Sequence, residues 1–177
     1  MRWFAFAAAA LAMLAAPAAL ADGPAPGNAQ ARFEADFLTD MIDHHAMAVD
    51  MAAMCIDKAV HDELRSLCQD ISATQSQEIE TMQSGLDEWY RIQHEPEHKP
   101  GGHKAMERMA TMAGADFEVA FMETMVRHHE GAIREAGQCL RRAHHDPLLD
   151  LCGNIIAAQS QEIAAMERWL CEWHSRC

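Results

Sequence analysis

Closely spaced histidines and methionines are the residues of this 177-residue sequence that are best suited to chemistry. The chain contains 13 methionines and 11 histidines, and the segment MIDHHAMAVDMAAMC alone holds four methionines and two histidines. Imidazole nitrogen and thioether sulfur together suit a soft ion such as Cu(I), because soft ligands select soft metals. Methionine is also a flexible core filler, so the helix face that each residue occupies must separate the two interpretations.

One flank of this segment carries the donors at helical spacing. His44 is followed by three methionines, Met47, Met51 and Met54, which we call the methionine stripe. We predict that their sulfur atoms lie beside the packed interior, rather than within it, and bind Cu(I) together with His44. The alternative is that the stripe packs under the linker described below.

The sequence is an internal duplication. Residues 33–93 align without a gap on residues 117–177, with 26 identities in 61 positions. The second copy keeps a histidine pair, His128 and His129, but has no methionine at the positions of the methionine stripe. Because the duplicated fold does not need those methionines, their presence in one copy favours a functional role.

The spacing of apolar residues predicts an all-α fold. Apolar residues recur every three or four positions and do not alternate as in strands. The predicted helices span residues 31–59, 62–93, 116–143 and 146–175. Asp62 and Asp146 are expected to cap two of these helices, with Pro147 at a first helical position. Two tandem helical hairpins that share one core make a four-helix bundle.

The linker between the copies, residues 94–115, is also rich in donor atoms. It contains His94, His98, His103, Met106, Met109 and Met112. Such segments often capture metals. The alternative is a solvated loop followed by a short helix, at 104–112, that caps the bundle. The linker is long enough for either up-down-up-down or crossover connectivity.

Cysteine positions support the hairpins. Two cysteines flank each predicted turn at equal distances, so antiparallel helices would bring them to the same level. We predict the disulfides Cys55–Cys68, Cys139–Cys152 and Cys171–Cys177. A loop as short as the first two enclose contributes about 3 kcal/mol in an oxidising compartment. Thiolate metal ligation is the alternative.

The apolar face of the first helix predicts a polar layer at mid-height. This core stripe consists of Phe37, Met41, His45, Ala48, Ala52, Cys55 and Ala59, and each member is identical in the second copy. Reflection through the hairpin turns places the first histidine pair level with Glu78 and the second level with Glu162. The same reflection predicts two contacts, Met41 with Met82 and Met125 with Met166. For His45 and His129, hydrogen bonding to glutamate or glutamine and metal binding both stay open.

Composition and the N-terminus indicate where the protein works. The formal net charge of −13 argues against a nucleic-acid partner and concentrates cations near the surface. Residues 1–21 have the basic start, apolar run and A-x-A ending of a secretory signal peptide, which leaves one mature domain, residues 22–177. No later apolar run is long enough to span a bilayer. We therefore expect a periplasmic protein without a membrane span.

These motifs resemble a known family. The pattern M-x-x-H-H, A-x-x-M-A and Q-x-x-E-I-x-x-M is similar to that of domain-of-unknown-function family 305 over nearly all of the mature chain. The resemblance implies a ferritin-like four-helix bundle, export and, as in some members, copper binding or copper resistance. It implies the ligands Met41, His44, His45, Met47, Met51, Met54, Met125, His128 and His129. In the second copy, Glu135 replaces the methionine of A-x-x-M-A.

Three functions follow from these observations. The leading hypothesis is a non-enzymatic copper protein that sequesters or transfers Cu(I) or Cu(II) for copper tolerance or homeostasis, with a periplasmic delivery partner. The second is a di-iron or di-manganese carboxylate enzyme, although the Glu-x-x-His spacing of such sites is missing from the predicted bundle helices. The third is a metal-free acidic interaction module. No nucleophile or phosphate-binding motif can be assembled, so we expect no enzymatic activity.

Overall fold

The chain folds into helices joined by short turns and one long connection. A computed structural model describes residues 23–97 and 100–177, without the side chains of residues 100–103. Within these residues the five helices are α1 (Asn28–Lys58), α2 (Asp62–Tyr90), α3 (Pro100–Ala110), α4 (Gly114–Arg142) and α5 (Asp146–His174). The all-α prediction is confirmed. The predicted signal peptide, His98 and the side chain of His103 lie outside the described residues.

Helices α1 and α2 form one hairpin, and α4 and α5 form the other. All three predicted disulfides are present: Cys55–Cys68, Cys139–Cys152 and Cys171–Cys177. The first two join the arms of the hairpins with Cα–Cα distances of 6.1 and 6.3 Å. Because all six cysteines are paired, thiolate metal ligation is contradicted.

The predicted helix caps are wrong. Asp62 and Asp146 are the first residues of α2 and α5, and Pro147 is therefore the second residue of its helix rather than the first. The capping positions belong to His61 and His145, neither of which makes a side-chain capping hydrogen bond to its own helix.

A buried glutamate near the start of α4 holds the turn before α2, and a buried glutamate near the start of α1 holds the turn before α5. Glu118 Oε1 accepts hydrogen bonds from the backbone N–H groups of Val60 and His61, at 2.8 and 2.9 Å. Its counterpart in the first copy, Glu34, accepts the N–H groups of His144 and His145. The start of α4 thus lies beside the end of α1, and the start of α1 lies beside the end of α4. These two helices are therefore antiparallel.

Antiparallel α1 and α4 require a crossover connection. Helices α2 and α4 then point the same way, so residues 91–113 must run the length of the hairpins between them. Asp43 holds the beginning of this segment, because its Oδ1 accepts hydrogen bonds from His94 Nε2 at 2.7 Å and from the Glu97 N–H at 2.8 Å. Lys58 holds the end by donating to the Met112 carbonyl at 3.0 Å. Of the two connectivities that the sequence allowed, the structure has the crossover and not the up-down-up-down arrangement.

Helix α3 covers the side of α1 and α4. It begins at residue 100, four residues before the predicted start. Met109 is buried against the core, and Met106 and Met112 pack half-buried around it. Met106 and Met109 therefore form the apolar face of a covering helix, with Met112 just beyond its end, as the capping alternative expected.

The interior consists of two apolar clusters, one at each end of the hairpins. One contains Phe37, Met41, Met82, Ala132 and Cys152, and the other contains Ala48, Cys55, Phe117, Met125 and Met166. The predicted core stripe of α1 is buried throughout. The histidine pairs lie between the two clusters. Among the described residues, no helix has the length and apolar composition needed to cross a membrane.

Candidate metal centre

Helices α1 and α4 bring two histidine pairs to one level. The rings of His44 and His128 meet across the interface of the hairpins, with centroids 3.6 Å apart and planes inclined by 35°. The ring centroid of His44 lies 6.3 Å from that of His45, and the ring centroid of His128 lies 6.2 Å from that of His129. The prediction that the pairs fall at the same height is confirmed. Four imidazoles from both hairpins therefore converge.

The inner histidines face glutamates, as reflection through the turns predicted. His45 Nε2 donates a hydrogen bond to Glu78 Oε2 at 2.8 Å. His129 Nε2 lies 2.6 Å from Glu162 Oε2, although these atoms are not aligned as a hydrogen bond. Both imidazoles are fully buried, and both glutamates are nearly so. Each inner imidazole thus faces a carboxylate, and the hydrogen bond to Glu78 fixes the orientation of the His45 ring.

Unpaired buried polar atoms concentrate at this level. Among the described residues, those without a hydrogen-bond partner include Nδ1 of His45, both ring nitrogens of His128 and Nδ1 of His129. The side-chain amides of Gln75 and Gln159, one turn before the glutamates, belong to the same group. Buried polar groups are normally hydrogen-bonded, and an exception calls for a specific cause. The unpaired ring nitrogens at this level are therefore candidate metal donors.

The electrostatics of the layer keep the imidazole of His128 neutral. Burial, followed by the nearby rings of His44, His129 and His45, lowers the pKa of His128 to about 2. Protonation would place a cation among like groups in a water-poor interior. His128 is therefore uncharged at neutral pH, and a neutral imidazole is the form that binds metals.

The two copies differ in the residues beside the outer histidines, His44 and His128. Gly131 of α4 occupies the position of Met47 in α1. A Cβ atom at Gly131 would lie 3.4 Å from His44 Nε2, so the glycine leaves space beside this nitrogen. The replacement of Met47 by glycine in the second copy thus leaves room beside His44, within the candidate site.

The predicted methionine ligands do not all lie together. Met41 and Met82 share one apolar cluster, and Met125 and Met166 share the other, as the reflection predicted. All four side chains are fully buried. Met41 and Met125 therefore lie on opposite sides of the histidine level.

The prediction that the methionine stripe lies beside the core holds for two of its members. Met47 and Met54 are half-buried and pack against the apolar cluster near α3. Met51 is 2% exposed and lies within that cluster, so its predicted position is wrong. The reason is the crossover: Met109 of α3 joins the same cluster, and this cover turns a flank of α1 into interior.

Sequence reasoning missed three buried acidic residues. Glu34 and Glu118 join the hairpins, and Asp43 anchors the crossover. The two glutamates carried a usable signal, because a charged residue is identical in both copies at the first turns of the long helices. Asp43 had no such signal, since its counterpart is Arg127.

These features define a class of protein: a duplicated, disulfide-bonded helical fold with a buried histidine layer between its hairpins. The chain belongs to the family described as Domain of unknown function (DUF305), whose model matches residues 34–170. No curated protein sequence matches significantly.

Several solved structures are similar. CopM in the Cu(I)-bound form is 28% identical with a TM-score of 0.72, covering 80% of this chain and 97% of that one. CopM in the Cu(II)-bound form is 30% identical with a TM-score of 0.72, covering 79% and 97%. A DUF305 fragment from Deinococcus radiodurans is 26% identical with a TM-score of 0.70, covering 84% and 97%.

Proposed function

We propose that this protein is an exported, non-enzymatic copper-binding protein that sequesters or transfers copper through the histidine layer and the methionine stripe. The observation that carries the proposal is the meeting of His44 and His128, from different hairpins, at a ring separation of 3.6 Å. The similarity to CopM, solved with Cu(I) and with Cu(II), supports copper as the ion.

The internal symmetry suggests how sulfur joins this site. The repeat maps His44 onto His128 and Gly131 onto Met47. Since position 131 faces the ring of His44, the symmetry directs Met47 toward the ring of His128. An imidazole pair with an adjacent thioether is a donor set that favours Cu(I) over harder ions. Met54 lies on the same flank two helix turns after Met47 and extends the row of sulfur atoms toward α3.

Export and the finer architecture belong to the same proposal. The N-terminal pattern of residues 1–21, the three disulfides and the net charge of −13 fit a periplasmic protein. A similar structure from Streptomyces coelicolor, 27% identical, is described as a candidate secreted DUF305 protein. We assign the four long helices to a ferritin-like bundle with α3 as its cover. A periplasmic partner that delivers or accepts copper would complete the function.

An anaerobic Cu(I) titration against a chromogenic chelator tests the proposal. Wild-type protein should bind Cu(I) saturably. Changing Met47, Met51 and Met54 together to Leu should weaken binding at least about tenfold, the loss that even outer-shell changes produce. Met→Leu conserves volume and costs less than about 1.5 kcal/mol at each site, so the fold should persist.

The matched control removes the same number of sulfur atoms from α3 and the residues just after it. Met106, Met109 and Met112 changed to Leu should leave the first Cu(I) equivalent unaffected. Equal affinity in the wild type and the α1 triple variant would remove the methionine stripe from the proposal. An absence of Cu(I) binding by the wild type would overturn the function itself.

One observation favours a second candidate, a di-iron or di-manganese carboxylate enzyme. The pairs His45–Glu78 and His129–Glu162 bring one carboxylate and one imidazole from each hairpin to the same level. Di-metal sites in bundles use such donors, but with two histidines in Glu-x-x-His motifs. Oxidase activity after reconstitution with iron would favour this candidate over copper storage.

A further inference from the structure

A second cluster of donor atoms lies at the end of the hairpins, away from the histidine layer. His61 at the first hairpin turn, Glu118 near the start of α4 and His174 at the end of α5 each offer one ligand atom. These three atoms all lie within 4.8 Å of one another. We propose that this cluster is a binding site for a divalent transition ion, Zn²⁺ or Cu²⁺, separate from the proposed Cu(I) site.

The spacing of the donor atoms suits such an ion. Glu118 Oε2 lies 2.8 Å from His61 Nδ1 and 3.4 Å from His174 Nε2. Ligand atoms on a tetrahedral ion with bonds of about 2.0–2.1 Å stand about 3.3 Å apart. Small side-chain adjustments would therefore place an ion between the three atoms.

His174 is the member that hydrogen bonding leaves unexplained. Its side chain is 8% exposed, and its Nε2 is buried without a hydrogen-bond partner. The 3.4 Å approach to Glu118 Oε2 lacks hydrogen-bond geometry. A buried ring nitrogen aimed at a carboxylate oxygen is an available ligand.

Glu118 offers one oxygen to the cluster. Its Oε1 is held by the N–H groups of Val60 and His61, which leaves Oε2 toward the two imidazoles. Outer hydrogen bonds of this kind orient a metal ligand.

The repeat places an equivalent cluster at the opposite end of the hairpins. There, Glu34, His145 and Tyr90 occupy the positions of Glu118, His61 and His174. Ring packing is the same in both clusters: Trp89 stacks on His145 at 4.0 Å, and Trp173 stacks on His61 at 3.9 Å. Tyr90 and His174 stand edge-on to their histidines at 6.3 and 6.0 Å.

The two clusters differ in how this geometry is satisfied. The hydroxyl of Tyr90 donates to Glu34, and His145 Nε2 donates to the Gly23 carbonyl at 2.9 Å, so the Tyr90 cluster is closed. In the other cluster His174 replaces the tyrosine, and the side chain of His61 is 36% exposed. The Tyr90 cluster is thus held by hydrogen bonds, and the His174 cluster offers a second imidazole in place of the hydroxyl.

The ligand types and the surroundings indicate the class of ion. Two imidazoles and a carboxylate, without sulfur, suit Zn²⁺ or Cu²⁺ rather than Cu(I). A surface cavity of about 540 Å³ borders His174 and gives an ion and its water a route in. Two acidic and two basic side chains balance its formal charge: Asp116, Glu123, Arg108 and Arg176.

The test is to exchange the one residue that distinguishes the two clusters, His174 in one and Tyr90 in the other. Zn²⁺ and Cu²⁺ are titrated separately into the full protein by calorimetry, and Cu²⁺ binding is also followed by electron paramagnetic resonance. His174→Tyr should remove one high-affinity equivalent, weakening that step by more than about 100-fold, because loss of a ligand exceeds the effect of an outer-shell change. The reverse change, Tyr90→His, should add one equivalent.

Controls separate this site from the proposed copper function. His44→Gln should leave the Zn²⁺ or Cu²⁺ equivalent intact, and His174→Tyr should leave Cu(I) affinity intact. Should His174→Tyr fold poorly, His174→Gln and the nitrogen hyperfine pattern of Cu²⁺ in the wild type serve instead, with two coordinated imidazoles expected. Unchanged stoichiometry in either His174 variant, or binding of neither ion by the wild type, would overturn the site.

Discussion

At Gly131, a single hydrogen atom in place of a methyl group decides what space remains beside the imidazole of His44. An added Cβ would lie 3.4 Å from His44 Nε2, which is an ordinary van der Waals contact and not a clash. An ion bound to that nitrogen at about 2.0 Å would need the same space. Glycine in a helix interior is destabilising, so its presence here is explained better by the site than by the fold.

Gly131→Ala should therefore separate stability from copper binding. We expect the free energy of unfolding to rise by about 0.5–1 kcal/mol, from helix propensity, while Cu(I) affinity falls. Urea unfolding and chelator competition measure the two effects. Gly153→Ala in α5 is the matched control, because a Cβ there has no neighbour within 4 Å, and it should raise stability alone. Equal Cu(I) affinity in both variants would exclude the space beside His44 from the site.

At the scale of the helices, the joints between hairpins depend on two buried carboxylates. Glu34 accepts hydrogen bonds from the His145 ring at 2.6 Å, from the His144 and His145 N–H groups and from the Tyr90 hydroxyl. Burial raises the pKa of Glu34, but these hydrogen bonds more than offset it, so the pKa lies below the ordinary value. The ionised form is therefore the one that the folded state stabilises.

Glu34→Gln should make stability less dependent on acid pH. A carboxyl group with a lowered pKa in the folded state contributes stability above its unfolded pKa of about 4.5, and this contribution is lost as the pH falls through the folded value. We expect the variant to be about 1–3 kcal/mol less stable than wild type at pH 7, with the difference shrinking in acid. Urea unfolding at a series of pH values measures this. Glu80→Gln, on an exposed face of α2, should follow the wild type. A difference that grows in acid would contradict the assigned role of Glu34.

The local sequence predicted the helices better than the contacts between the two hairpins. Periodicity placed the long helices to within about three residues, and reflection through the turns located Glu78 opposite the first histidine pair. Both inferences use spacing within one hairpin. The caps at Asp62 and Asp146 failed because the capping position lies one residue earlier, at His61 and His145, in turns whose N–H groups bond to a glutamate of the other hairpin. Met51 was misplaced for a similar reason, since its environment depends on where the crossover lies.

Across the whole molecule, the hairpins meet chiefly through α1 and α4, while α2 and α5 touch little. Each hairpin has its own disulfide, so the two can separate locally without either losing its internal link. The histidine layer lies on this interface. An ion held by His44 and His128 would oppose that separation by mass action, by about 2.7 kcal/mol at a free concentration 100 times the dissociation constant.

Hydrogen exchange should therefore report Cu(I) binding in both hairpins. Amides of α1 and α4 near the histidine layer should exchange more slowly with Cu(I), because local opening of the interface would require release of the ion. His44→Gln should abolish the change in both helices, whereas His144→Gln, at an exposed histidine, should retain it. Slowing confined to α1 and α3 would mean that the methionine stripe holds the ion alone. The histidine layer would then be a hydrogen-bonded core feature, and copper would not couple the two hairpins.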